Sequence, residues 1–224
     1  MKYFYSKLPK MKTLIVVFFF SFLLAGCAPT IYKAQDFDSI TATHKIVAIL
    51  PVDVNIQLRP NELKKTSEQQ LTEMERKTGM TIQDKMYSWF LKRSVKFKYT
   101  VRFQDISRTN ALLLQNNINY NELRAKTRDE LARLLGVDAV ICTRMTMNKP
   151  MSEGAALAIG ILVGTWGSTN DVLTNITINE AQKGELVWRY DYSASGSVGS
   201  DPDRLVDVLM RNASKKFPYN TKSK

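Results

Sequence analysis

The chain has 224 residues and a formal net charge of +11, from 32 lysines and arginines against 21 aspartates and glutamates. Its single histidine and two cysteines cannot assemble a structural zinc site. The charges are interspersed rather than clustered, the pattern of a solvated exterior, and the length suits one domain able to bury a core without staples.

Residues 11–27, "MKTLIVVFFFSFLLAGC", place a lysine before a long apolar run and small residues before a cysteine, the layout of a secretory signal. The apolar part, 13–26, is shorter than the ~18–20 residues that span a bilayer. A start at Met1 or at Met11 leaves the reading unchanged, because Lys2, Lys7 and Lys10 only lengthen the basic leader. "LLAG" followed by Cys27 resembles a bacterial lipobox. The resemblance implies cleavage before Cys27, a diacylglycerol thioether on its sulfur and acylation of its new amine. Two or more acyl chains give stable anchoring where one gives only marginal binding. Ala28 is not aspartate, which under the enteric sorting rule implies the outer membrane with the domain facing the periplasm. That compartment disfavours a nucleic-acid partner. Lipid on Cys27 also leaves Cys142 without a disulfide partner.

The organisation expected is a signal peptide over 1–26, a lipidated tether over 27–44 and a periplasmic α/β domain over 45–224. "HKIVAILPV" reads as a buried strand ended by Pro51. A long helix follows over about 61–96, with an apolar face at Leu71, Met74, Ile82, Met86, Trp89 and Phe90 and a weak point or break at Gly79. Glu73 and Lys77 make a stabilising pair along it. A half-buried strand over 99–105 and short helices over 109–114 and 128–135 come next. The second helix has Thr127 as N-cap, Glu130 to complete a capping box and Gly136 at its exit. "VDAVICTRMTM" is a strand, and "NDVLTNITINE" and "ELVWRYDYSASGSV" are two strands of a hairpin turned by "AQKG". A final helix starts at Asp201 and Pro202, buries Leu205, Leu209, Ala213 and Phe217, and stops at Pro218. The order β-α-β-α-α-β-insert-β-β-α predicts a single α/β (α+β) domain with helices packed on a mixed sheet.

Three pieces, "IVAILPV", "LARLLGVDAVICTRM" and "VLTNITINEAQKGELVWRY", together resemble the superfamily of periplasmic lipoproteins that includes the curli-secretion channel lipoprotein and the activator lipoprotein of penicillin-binding proteins. The resemblance spans roughly 45–217, and its motifs are structural: Gly136 and Gly184 serve turns and Trp188 packs in the core. It implies an outer-membrane-anchored domain that assembles with itself or with envelope partners, and it carries over no catalytic residue.

Little else points to chemistry. His44, beside the tether, reads as a surface residue, and Cys142 as a small hydrophobe in a strand. "DFDS" at 36–39 pairs acids without a partner, and "GSVGSD" at 196–201 is a turn and cap that lacks a phosphate-binding lysine. The insert at 153–167 holds no charge after Glu153. On a helix, Ala156, Gly160 and Gly164 would line one small-residue groove, with Trp166 beside it. Residues 155–166 reach only ~18 Å as a helix, too short to span a bilayer. Nor do they alternate as barrel strands do, which argues against a pore. Core packing or a subunit contact is favoured over shallow insertion into a membrane surface.

The reading is therefore a non-enzymatic lipoprotein, an adaptor or self-assembling scaffold of the cell envelope. Its expected partners are membrane lipid through Cys27 and an envelope protein or a second copy, with no metal, cofactor or small-molecule substrate. A component of an outer-membrane export channel and a cryptic periplasmic hydrolase are the alternatives.

Overall fold

The computed structural model describes residues 30–96, 98–148, 171–195 and 202–220. The tether expected over 27–44 is largely part of the fold. β1 (Thr30–Lys33) pairs antiparallel with a later strand, and the single-turn α1 (Phe37–Ile40) buries Phe37 to 2% exposure. Four exposed residues and one buried phenylalanine leave no periodicity to read. The acids of "DFDS" are not all unpartnered, because Lys33 Nζ lies 3.3 Å from Asp38.

The first buried strand divides at Pro51 into β2 (Ile46–Ile49) and β3 (Asp53–Gln57), which run in succession along the same side of one partner. Proline has no N–H for a ladder, and the register shifts by one residue between the two pairings. The helix expected over 61–96 is α2 (Pro60–Leu63) and then α3 (Glu68–Ser94). The break falls before Ser67, whose side chain accepts from the Gln70 N–H in a capping box. Gly79 interrupts nothing. It lies where α3 crosses the β2–β3 junction, and its carbonyl accepts the Val52 N–H at 3.3 Å.

β4 (Arg102–Phe103) is all that remains of the strand expected over 99–105, with Tyr99 making an isolated bridge to Asn220. α4 (Ile106–Gln115) is capped by Asp105, and α5 (Arg128–Leu135) has its capping box and left-handed Gly136 where the sequence puts them. β5 (Ala139–Asn148), β6 (Asp171–Glu180) and β7 (Leu186–Ser195) follow, then α6 (Pro202–Ala213). The last helix stops at Ala213, so Phe217 is buried from the segment after it rather than from the helical stripe.

The sheet runs β1-β7-β6-β5-β2-β4, with β3 also on β5, and mixes parallel with antiparallel pairs. Alternation along β5 to β7 divides the residues between two faces. α3 and α6 cover one face over a core that includes Ile82, Met86, Met145, Ile176, Trp188 and Leu209. α4 and α5 cover only part of the other, where Leu113, Leu131 and Leu135 meet Ala48 and Val140. This is the single α/β domain, helices on a mixed sheet, that the element order predicts. Among the described residues no helix is long and apolar enough to cross a membrane.

His44 is not the surface residue expected. It is 9% exposed, and its Nδ1 lies 2.7 Å from the Tyr219 hydroxyl. Burial outweighs the pull of Asp138 and Glu180 and holds the imidazole below its ordinary 6.5. Glu180 is pushed up by desolvation, but N–H donors from Gln182, Lys183 and Glu185, with the charge of His44, bring it below the usual carboxylate range. Both folded values lie below the unfolded ones. The His44 contribution is therefore full above about 6.5 and fades as pH falls through its folded value; the Glu180 contribution is full above about 4.5 and fades below it. Thermal unfolding followed by circular dichroism should fall in midpoint as the buffer is taken from about pH 7 to 5, and His44→Gln should flatten that slope. An unchanged slope in the variant would remove His44 from the account.

Candidate functional site

The part of the second face that α4 and α5 leave open carries exposed Leu173 and Leu186 beside a polar row that register sets. Asp53 lies beside Arg144, Arg144 beside Asn175 and Asn175 beside Asp191 across four strands. Where this open surface meets α5 there is a cleft of about 270 Å³, bordered by Asp53, Arg124, Arg128, Cys142, Arg144 and Thr177 among others.

Asp53 is the hub. One carboxylate oxygen accepts from Arg124 Nε at 2.7 Å and the other from Arg144 Nε at 3.0 Å. Arg124 also donates to the Val54 carbonyl at 3.1 Å and lies 3.7 Å from Glu75. Arg128, the first residue of α5, borders the cleft with no carboxylate partner among the described residues. The lining thus carries three arginines against one aspartate, which favours an anionic group. A second cluster adjoins it, where Asp191 accepts from Asn175 Nδ2 and from Arg189 Nε.

The wall beside Asp53 is held by Tyr120. Its hydroxyl donates to the Val52 carbonyl at 2.7 Å and accepts the Val54 N–H at 2.8 Å. Burial, the largest influence, pushes this phenol up to about 12, so it stays protonated as both bonds require. The Ile56 N–H goes to the Glu75 carboxylate at 3.0 Å. Side chains thus occupy the Val54 N–H and carbonyl and the Ile56 N–H of β3, which blocks much of that edge to another strand.

Cys142 forms part of the cleft floor, half-buried. Burial pushes its thiol up to about 11 against the opposing pull of Arg128 and Arg144. A thiol so raised is a poor nucleophile. Alkylation of Cys142 at pH 8, followed by peptide mass spectrometry, should run on the order of a hundredfold slower in the native protein than in denaturant. Equal rates would show an accessible thiolate instead.

Among the described residues that border the cleft, no nucleophile is paired with a base. The cleft offers forked donors to a carboxylate or another oxyanion, the chemistry of recognition. Among the described residues no three metal-ligating side chains cluster. Sequence reasoning missed the cleft, since Asp53, Arg124, Arg128 and Arg144 come from four separated segments and share no spacing. The residues it did single out, Cys27, Ala156, Gly160, Gly164 and Trp166, lie outside the described residues, as does the turn at 196–201.

No protein-family model matches this chain, and no curated protein matches it in sequence. Among solved structures it is similar to lipoprotein GNA1162 from Neisseria meningitidis, at 15% identity and a TM-score of 0.42, over 77% of this chain and 96% of that one. The PelC dodecamer from Paraburkholderia phytofirmans is similar at 9% identity and a TM-score of 0.39, over 83% and 95%. The NMR structure of E. coli LpoB is similar at 12% and 0.40, over 77% and 74%. At these values the likeness assigns neither a family nor an activity to this chain.

Proposed function

We propose that the protein is a non-enzymatic lipoprotein, anchored through lipid on Cys27 in the outer membrane, whose periplasmic domain works as an adaptor or self-assembling scaffold of the cell envelope. One observation carries the reading: only two residues, Ala28 and Pro29, separate the lipobox-like "LLAG" and Cys27 from β1, so the anchoring signal joins directly to a folded domain. The arginine-bordered cleft supports the adaptor role, because it offers an acidic partner three guanidinium groups and no reacting pair of side chains.

Fractionation and crosslinking test the two halves separately. The native protein should travel with the outer membrane, and Cys27→Ser should leave it for the soluble periplasm or retain its leader. Recovery of a leaderless Cys27→Ser protein in the outer-membrane fraction counts against the anchor. In intact envelopes, Arg128→Glu should weaken crosslinks to a partner or to a second copy. A protein that sediments as a monomer and crosslinks to nothing is neither adaptor nor scaffold.

A further inference from the structure

The two open sides of the sheet are built differently. On β3 the outward Val54 N–H, Val54 carbonyl and Ile56 N–H are taken up by Tyr120, Arg124 and Glu75. β1, at the far edge, has no such cover among the described residues. The Ala34 N–H donates to the Val187 carbonyl, and antiparallel alternation then turns the backbones of Ile31 and Lys33 outward. Its side chains are open as well: Ile31 is 40% and Tyr32 is 48% exposed. An uncovered edge carrying two large apolar side chains needs an explanation.

The explanation we propose is that β1 is the membrane-contacting edge of the lipid-anchored protein, so that the domain rests with this side of its sheet against the headgroup layer of a phospholipid bilayer. The inference rests on lipidation at Cys27. Thr30 is three residues from that cysteine, and three residues span at most about 10 Å in any conformation. Headgroup layers account for roughly 5–8 Å on each side of the hydrocarbon core. An acylated Cys27 must sit at that layer, and so it holds β1 within about one headgroup depth of it. Tyrosine suits such a boundary, with an apolar ring and a polar end. Arg189 lies opposite Tyr32 in the register, where a guanidinium can meet a lipid phosphate. The ion pairs along this edge, Lys33–Asp38 and Arg189–Asp191, each join one charge of either sign. Contact is therefore driven by the tether and the apolar side chains rather than by net charge. The other end of the sheet is different: α4 contacts β2, four strands from β1 and so roughly 19 Å away, and its Leu114 is 72% exposed.

The experiment uses the mature lipidated chain in vesicles of phosphatidylethanolamine and phosphatidylglycerol that carry a headgroup-linked quencher. Fluorophores are attached at Tyr32→Cys or at Leu114→Cys in a Cys142→Ser background, and circular dichroism confirms that each variant is folded. Mass spectrometry establishes the state of Cys27 in the same samples. The label at position 32 should be quenched several-fold more than the label at 114. Equal quenching, or stronger quenching at 114, on a protein with lipid at Cys27 overturns the membrane edge and leaves the anchor standing. Contact between position-32 labels of two copies without quenching overturns it in favour of β1 pairing with β1. A bare Cys27 thiol overturns the anchor and the membrane edge together.

Discussion

Gly79→Val should lower the stability of the domain by about 3 kcal/mol, roughly 6–12 °C in unfolding midpoint for a domain of this size. A Cβ at position 79 would overlap the Val52 carbonyl oxygen and come within 2.9 Å of the Tyr120 ring and hydroxyl. Neither neighbour yields easily. The Val52 carbonyl is backbone in a junction between two strands, and Tyr120 is fixed by bonds to Val52 and Val54. Pushing α3 outward instead would lengthen the bond from the Val52 N–H to the Gly79 carbonyl and strand a buried donor. Gly79→Ala separates crowding from helix preference. Alanine gains about 1 kcal/mol over glycine within a helix, so a net loss there can come only from the close approach. A Gly79→Ala protein more stable than the native one would show that α3 does not touch the junction. The effect also bears on the cleft, because Asp53 directly follows Val52 and Tyr120 borders the same opening.

How much of this the sequence shows depends on whether the cause is local. α5 is legible end to end: Thr127, Glu130 and Gly136 satisfy the backbone groups of their own helix. β6 is legible because one buried face imposes alternation on "VLTNITIN". Gly79 carries no such label, since the weak helix former that sequence reading finds is a contact made by residues 27 positions upstream and 41 downstream. β1 has only a neighbouring strand to define it, and every residue in it is exposed. The cleft is harder still. Arg124 arrives on a short turn, Glu122–Arg124, Arg128 opens a helix, and Asp53 and Arg144 lie on parallel strands, so only the folded topology brings them together.

Phe217 shows the same limit from the other end of the chain, and its truncation should cost most of all. Phe217→Ala is expected to lose about 3–5 kcal/mol, because a ring 1% exposed is removed from the centre of an aromatic cluster. Its centroid lies 4.8 Å from Phe90, 5.9 Å from Trp188, and 5.6 Å from both Tyr99 and Tyr219. These rings come from α3, β7, the approach to β4 and the C-terminal segment, which cannot all collapse into one cavity. Phe217→Leu refills part of the space and should lose distinctly less. The consequence reaches the anchor side of the domain. Tyr219 is held by Phe217 and in turn meets Phe37 at 5.7 Å and His44 at 2.7 Å, so the C-terminal segment clamps residues 37–44 onto the core. Hydrogen exchange in Phe217→Ala should therefore rise over 30–44 before it rises in β5 and β6. Loss of less than about 1 kcal/mol, or unchanged exchange over 30–44, would mean that the segment next to Cys27 holds to the sheet through β1 alone.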